Sequence, residues 1–228
     1  CGSMFLSRAL QKLAGANGLQ HLDYCSYFVK VHPDQGSRLF DEATLARAFH
    51  PTGCHYGTLR RAYPIPSHEL YRSVLLLRDP RDCLVSHYYS VRDSHTLNNR
   101  GNLEARREAL RTDIDQWVLG KASEYAQDFE QFHTRLVGKP GVLFLRYEEM
   151  VTAFPDFLRK IVAHTGLDQD QEAIARILEE ADFEVSGENL LAHKRSVKPG
   201  NHLKKLKPET VDRLNGALAE VLELFAYR

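Results

Sequence analysis

Four apolar residues, Val74–Leu77, run directly into the charged segment Arg78–Asp82. Short continuous apolar runs of this kind are typical of strands covered on both faces, and they predict strands over Ser73–Asp79 and Val142–Tyr147. The chain between and after these runs has helical periodicity, first around Trp117 and again after Pro155. Buried strands that alternate with helices predict an α/β fold, with a central, mostly parallel sheet flanked by helices.

Three further elements follow from the same patterns. An opening helix places apolar residues on one face and ends at glycines; the face is formed by Leu6, Ala9, Leu10 and Leu13, and the glycines are Gly15 and Gly18. Ser26–Val31 reads as a strand ended by Pro33. A last helix begins at Pro208, with Val211, Leu214, Leu218, Val221, Leu222 and Phe225 facing inward.

The bulk composition suits one globular domain over residues 1–228, because 43% of the 228 residues are hydrophobic and no linker or repeat interrupts them. A net charge of zero argues against general binding to nucleic acid or to an anionic membrane. No apolar run approaches the roughly 18 residues of a membrane span. Four widely spaced cysteines predict free thiols and a cytoplasmic location; they are Cys1, Cys25, Cys54 and Cys83.

Arg78 is expected at the edge of the sheet where ligands bind, since it follows a buried strand. Pro80 is expected to block a helix at once and to turn the chain. A helix over Cys83–Tyr89 then adds its first-turn N–H groups and the Ser86 hydroxyl to the Arg78 guanidinium, which together suit a phosphate. The segment alone is equally compatible with a surface ion-pair cluster over Arg78–Asp82.

Two other stretches suit anions. The opening residues Cys1–Leu6 form a small-residue turn ahead of a helix, and their backbone N–H groups could cradle a phosphate; an ordinary helix start is the alternative. The stretch Arg195–His202, preceded by Lys194, gathers basic residues around a Pro-Gly turn, although such a run is often a solvated face. Three candidate anion sites in one α/β chain predict a ligand with more than one phosphate group.

These stretches resemble, in the same order, the motifs of the sulfotransferases that use 3′-phosphoadenosine 5′-phosphosulfate (PAPS). The resemblance implies a P-loop NTPase-like sulfotransferase fold, with a lysine ahead of Cys1 and a first strand that would also precede it. It implies that Gly2, Ser3, Met4 and Phe5 bind the phosphosulfate, with Phe5 also at the adenine. It implies that Arg78 and Ser86 bind the 3′-phosphate.

The resemblance continues to the carboxyl terminus. "LRYEEM" and "ADFEV" resemble the segments that bring aromatic side chains to the adenine, which implies this role for Tyr147 and Phe183. "RSVKPGNHL" resembles the closing loop over the 3′-phosphate, with binding residues Arg195, Ser196, Lys198 and Gly200. The sequence departs from the family pattern where Met4 replaces a hydroxyl residue, Phe5 replaces a tryptophan, Ser196-Val197 replaces Lys-Gly, and Asn201-His202 replaces Asp-Trp.

Sulfuryl transfer to a hydroxyl needs a general base, and two histidines are candidates. His32 lies in "KVHP", which copies the family's Lys-Thr-His-x-Pro signature, whereas His55 lies in "GCHYG". In the family, the base lies a little over twenty residues before the arginine of the 3′-phosphate strand. His55 precedes Arg78 by 23 residues and His32 precedes it by 46 (78 − 55 and 78 − 32), so His55 is the predicted base.

The resemblance therefore implies transfer of the sulfuryl group of PAPS to a small-molecule or carbohydrate hydroxyl, with the desulfated nucleotide (PAP) as product and no metal ion. The sequence does not select the acceptor or the oligomeric state. One alternative is a P-loop kinase, which needs a Lys-Ser/Thr pair and a Mg²⁺-binding carboxylate, a role open only to Asp79 here. A second alternative is a nucleotide-binding module without catalytic activity.

Overall fold

A computed structural model describes residues 2–24, 27, 41–94, 100–168, 170–181 and 197–227 of the chain. The chain divides into two compact units. The first unit comprises Cys1–Leu77 and Thr134–Asp182, and the second comprises Arg78–His133 and Phe183–Arg228. Each unit thus combines two separate stretches of sequence, and a single domain over residues 1–228 stays a prediction. The predicted strand Ser26–Val31 lies outside the described residues.

The first unit contains two pairs of parallel strands. β1 (Gln20–Leu22) pairs with β2 (Cys54–Tyr56), and β3 (Ser73–Leu77) pairs with β4 (Val142–Arg146). In the described part of the chain these are two separate two-stranded ladders. Parallel pairing joined by long helical crossovers confirms the predicted α/β class.

β3 and β4 both end earlier than the sequence predicted, and each end has a local cause. Asp79 caps the helix Pro80–Tyr89 by accepting a hydrogen bond from the Arg81 N–H, so the strand stops at Leu77. The expectation that Pro80 blocks a helix was wrong, because Pro80 occupies the first helical position, where a missing N–H costs nothing. Tyr147 begins a helix rather than ending β4.

Six helices of the described chain lie within the first unit. They are Ser3–Ala16, Glu42–Ala48, the 3₁₀ helix His68–Leu70, Tyr147–Thr152, Phe154–Thr165 and Gln171–Glu179. The opening helix buries Leu6, Ala9 and Leu13, as its periodicity predicted; it continues through Gly15, which the sequence had placed at its end, and stops before Gly18. The helix Phe154–Thr165 buries Phe157 and Ile161 and closes on Gly166, whose φ of 71° suits glycine.

The second unit is helical in its described part. Its helices are Pro80–Tyr89, the π-helical turn Ser90–Ser94, Arg100–Arg111, Asn201–Lys205, Pro208–Ala217 and Ala219–Leu224, and the helix Ile114–Leu136 begins here and ends in the first unit. The predicted last helix is two helices separated at Leu218. All six of its predicted inward residues are buried, and the Phe225 ring meets the Phe129 ring edge to face at 5.6 Å.

The structure also describes two of the four cysteines and allows a search for membrane-spanning helices. Cys54 is a half-buried free cysteine and Cys83 a buried one, as predicted, while Cys1 and Cys25 lie outside the described residues. Among the helices that the structure describes, none has the length and apolar character needed to cross a membrane.

Candidate functional site

The opening turn of the first unit is shaped by Gly2. Gly2 caps the helix Ser3–Ala16 with a φ of 71°, a conformation that L side chains rarely adopt. A Cβ atom at this position would also meet Met150 Cε and would lie 2.7 Å from Tyr147 Cε2. Only glycine therefore allows the backbone to pass this closely over the helix Tyr147–Thr152.

The structure thus brings two of the predicted nucleotide residues, Gly2 and Tyr147, into direct contact. Tyr147 is 4% exposed and lies against the opening turn. Ser3 opens a 14-residue helix without an acidic residue in its first turn, so the positive end of the helix dipole is not offset there. The first amide groups of a helix have no acceptor within it, which makes this turn suitable for an anion.

The side chains of Met4 and Phe5 lie in different surroundings. Met4 is 43% exposed, and the Arg60 Nη2 donor lies 3.9 Å from its sulfur atom. This contact adds a guanidinium group to the opening turn. Phe5 is half-buried and packs edge to face against Phe154, with ring centroids 5.3 Å apart. Its predicted position at the adenine stays a prediction.

His55, the predicted base, occupies the middle of β2 in the first unit. Its register partner on β1 is His21, and the two Nδ1 atoms lie 3.0 Å apart, within hydrogen-bond distance. Both rings are half-buried. Burial, followed by the charge of His21, lowers the pKa of the His55 imidazole from 6.5 to about 4. His55 is therefore neutral at physiological pH and has a lone pair with which to accept a proton.

In the second unit, Arg78 is buried and ion-paired. Its Nη2 atom donates to Asp82 Oδ2 at 3.0 Å and lies 3.5 Å from the Lys198 carbonyl oxygen. Arg78 is 3% exposed and Asp82 is fully buried. The surface ion-pair cluster weighed for this segment was therefore wrong about location, although its pairs exist. The second pair joins Arg81 to Asp79 at 2.6 Å, and Arg81 also donates to Asn215.

Asp82 connects Arg78 to the stretch that resembles the closing loop. Its carboxylate accepts hydrogen bonds from the Gly200 N–H at 2.8 Å, the His202 N–H at 2.9 Å and the His202 Nδ1 atom at 2.7 Å. Burial alone would raise the pKa of Asp82, but the His202 hydrogen bond and the Arg78 charge outweigh it and lower the pKa to about 2. The structure thus joins Arg78 and Gly200 through one carboxylate that is charged at neutral pH, and it places the Lys198 carbonyl oxygen 3.5 Å from Arg78.

Ser86 lies on the helix Pro80–Tyr89, four residues after Asp82, so the two side chains share a helical face. Its hydroxyl-bearing side chain is half-buried. Three predicted binding residues, Phe183, Arg195 and Ser196, lie outside the described residues, as does His32, the alternative base. The structure leaves their predicted roles as predictions.

Sequence reasoning missed three residues of these sites. The sequence shows Asp82 only as a member of a charged cluster, although it lies four residues after Arg78 and in the first turn of the helix Pro80–Tyr89. In the sequence, His202 stands only as a replacement for a tryptophan. His21 gave no signal, because its contact with His55 depends on strand pairing across 34 residues of sequence.

The fold is that of a known family of proteins. A family model described as a sulfotransferase domain matches residues 66–209, which is well over half of the chain. The chain therefore belongs to the sulfotransferase family. The matched segment contains β3, Arg78, Asp82 and Gly200.

Individual relatives agree with this family. Human sulfotransferase 1C2 (Homo sapiens) is 27% identical over 121 residues, which cover 53% of this chain and 38% of the relative. Rat sulfotransferase 1C2 (Rattus norvegicus) is 26% identical over 120 residues, with the same two shares. The match therefore spans well under half the length of these curated relatives.

A solved structure extends the likeness of fold to the whole chain. The crystal structure of mouse sulfotransferase SULT7A1 complexed with PAP aligns with 100% of this chain and 85% of its own chain, with a TM-score of 0.67 and 16% identity. At that identity the likeness concerns the fold, and it agrees with the α/β class and the sulfotransferase fold expected from the sequence motifs.

Proposed function

We propose that the protein is a PAPS-dependent sulfotransferase that transfers a sulfuryl group to the hydroxyl group of a small molecule or a carbohydrate. The observation that carries the proposal is the buried network in which Asp82 joins Arg78 to Gly200 and His202. It lies inside the segment matched by the family. Such a network holds a guanidinium fork in a fixed position, which suits bidentate recognition of a phosphate.

His55 is the proposed general base. PAPS supplies the sulfuryl group, whose bond to the phosphate oxygen breaks as the acceptor oxygen attaches to sulfur. The His55 imidazole takes the proton that the acceptor hydroxyl loses, and its lowered pKa keeps it neutral and ready to do so. The attacking group belongs to the acceptor, so His55 forms no covalent bond to sulfur.

The opening turn is the proposed site of the phosphosulfate. The N–H groups at the start of the helix Ser3–Ala16 would stabilise negative charge on the leaving phosphate, and Gly2 keeps this backbone close to Tyr147. The proposed contacts of the 3′-phosphate are Arg78, Ser86, Arg195, Ser196, Lys198 and Gly200. Phe5, Tyr147 and Phe183 are the proposed contacts of the adenine.

Sulfate transfer from labelled PAPS to a panel of phenols, alcohols and saccharides tests the proposal. We expect transfer to at least one acceptor class, retained in the presence of EDTA. Replacing His55 with alanine should lower turnover roughly 10²-fold or more and leave PAP binding by calorimetry unchanged. PAP binding without any transfer would favour a non-catalytic module, and loss of activity with EDTA would favour a kinase.

A cytoplasmic location is also proposed, and the thiols support it. Cys54 and Cys83 are free cysteines, and free thiols are usual in a reducing compartment. Cell fractionation tests the location of the protein. Labelling the recovered protein with a thiol reagent under denaturing conditions then tests whether its cysteines are thiols. We expect both thiols to react without prior reduction.

A further inference from the structure

The two histidines of the β1–β2 ladder form a pair that the sequence did not reveal. His21 and His55 are register partners on adjacent parallel strands, so both side chains project from the same face. Their ring planes are inclined by only 28° and their centroids are 4.9 Å apart. The Nδ1 atoms face each other at 3.0 Å. This combination of register, ring inclination and hydrogen-bond distance specifies the orientation of the His55 ring.

The backbone fixes this pair on both sides. Gln20 N–H donates to the Gly53 carbonyl at 2.9 Å, and Gly57 N–H donates to the Leu22 carbonyl at 2.7 Å. Gly57 also leaves room for the His21 ring, because a Cβ atom at Gly57 would lie 3.2 Å from His21 Cε1. The His21 ring is thus confined between Gly57 and His55.

A hydrogen bond between two Nδ1 atoms has one proton, and its position decides whether His55 can act as a base. In a neutral imidazole one nitrogen is a donor and the other is an acceptor. If His55 Nδ1 donates to His21 Nδ1, the lone pair of His55 is on Nε2, the nitrogen directed away from His21. If the donor is His21, His55 carries its proton on Nε2 and has no lone pair there to accept another.

We propose that His21 is a positioning residue that accepts a hydrogen bond from His55 Nδ1–H and thereby keeps the lone pair of His55 on Nε2. This inference rests on the proposed function, in which His55 is the base. When His55 Nε2 takes the proton of the acceptor hydroxyl, the Nδ1–H group of the imidazolium still donates to the Nδ1 lone pair of His21. No proton moves to His21, so the balance of the transfer is unchanged.

The charges around the pair agree with one proton between the Nδ1 atoms of His21 and His55. Two imidazolium rings would direct two N–H donors at each other, so a charged His21 opposes protonation of His55, and this is the second cause of the lowered His55 pKa after burial. The other titratable groups nearby are Asp23, just after β1, and Cys54 and Tyr56, which flank His55 on β2. Side chains alternate along a strand, so these two flanking groups lie on its opposite face.

The tautomer of His55 in the wild-type protein is the direct test. Long-range ¹H–¹⁵N correlation spectra of protein labelled with ¹⁵N-histidine distinguish the protonated ring nitrogen from the one with a lone pair, and a His55→Asn spectrum assigns the signals among the 11 histidines. At pH 7 we expect the proton of His55 on Nδ1. A proton on Nε2 would overturn the inference, whether or not the protein transfers sulfate.

Two substitutions separate the hydrogen bond from packing. His21→Phe keeps an aromatic ring but removes the acceptor, so His55 should shift toward the Nε2–H tautomer and kcat should fall roughly 10- to 100-fold, with PAP binding unchanged. His21→Asn retains an acceptor at the δ position and should recover most of kcat and the Nδ1–H tautomer. The control is His50→Phe, since His50 is exposed and its substitution should leave the tautomer and kcat unchanged.

The outcomes distinguish this inference from the proposed function. If His55→Ala retains turnover, the base assignment is wrong, and the role of His21 falls with it. If His55→Ala loses turnover but His21→Phe changes neither kcat nor the tautomer, only the role of His21 is refuted. Equal losses in His21→Phe and His21→Asn, with an unchanged tautomer, would assign His21 to packing and refute positioning.

Discussion

At the scale of single residues, the low pKa of His55 makes a prediction about pH. A base must be neutral to accept a proton, so activity is lost as pH falls through its pKa. With a pKa of about 4, His55 remains about 90% neutral at pH 5, whereas an ordinary histidine would be about 3% neutral. We expect kcat/KM at pH 5 to lie within about twofold of its value at pH 7.

The measurement is a pH profile of kcat/KM between pH 4 and 8, with circular dichroism at each pH to verify that the protein is folded. An acid limb centred near pH 6.5 in folded protein would contradict the assignment of His55. Burial is the larger cause of the lowered His55 pKa, so substitution of an exposed residue should not change that pKa. Exposed substitutions such as His50→Phe should leave the acid limb in place.

Gly2 supports a second prediction at this scale. Gly2→Ala combines an unfavourable φ of 71° with a Cβ atom 2.7 Å from Tyr147 Cε2. We expect the free energy of unfolding to fall by roughly 2–4 kcal/mol, measured by urea denaturation. Gly18→Ala is the matched control, since its φ is 76° but a Cβ there would meet nothing within 4 Å. That variant should lose only about 1 kcal/mol, and equal losses would argue against crowding at Gly2.

At the scale of elements, Asp82 connects the helix Pro80–Tyr89 to the turn before the helix Asn201–Lys205. Asp82→Asn leaves Arg78 buried without its carboxylate partner. We expect the free energy of unfolding to fall by roughly 2–4 kcal/mol at pH 7. Asp156→Asn, which breaks an exposed ion pair with Arg159, should change it by less than about 0.5 kcal/mol. Similar effects of the two substitutions would contradict the importance of burial.

The same carboxylate predicts how stability depends on pH. The pKa of Asp82 is lowered to about 2 in the folded chain, so its contribution is present above its unfolded value of roughly 3.9 and is lost as pH falls toward 2. The stability difference between wild type and Asp82→Asn should therefore shrink between pH 4 and pH 2. A difference that stays constant over this range, measured by urea denaturation, would contradict the assigned charge.

The elements also explain how much of the fold and of the candidate sites the sequence could predict. β3, β4 and several helices, among them Ser3–Ala16 and Phe154–Thr165, were recognisable because their signals are local: apolar runs, helical periodicity, and glycines at helix ends. The order of the motifs predicted the nucleotide residues. The His21–His55 contact and the bonds from Asp82 to Gly200 and His202 depend on pairing between distant segments. Periodicity contains no information about such pairing, so only the three-dimensional structure reveals these contacts.

At the scale of the whole molecule, the division into two units raises the question of whether they unfold together. Each unit is made of two stretches of chain, and the sequence passes between the units after Leu77, His133 and Asp182. The passage after His133 lies inside the helix Ile114–Leu136. Neither unit can therefore be removed as one continuous segment, and unfolding one end of that helix breaks the backbone hydrogen bonds of its neighbouring turn.

We accordingly expect one cooperative transition, as the single domain predicted from composition requires. The chain has one tryptophan, Trp117, which is buried in the second unit, so its fluorescence reports on that unit. Far-ultraviolet circular dichroism reports on the helices of both units. The two urea curves should have the same midpoint, and saturating PAP should raise both midpoints together, because a ligand of the folded state stabilises everything that unfolds with its site. Separate midpoints, or a PAP effect on one probe alone, would mean that the units are independent domains.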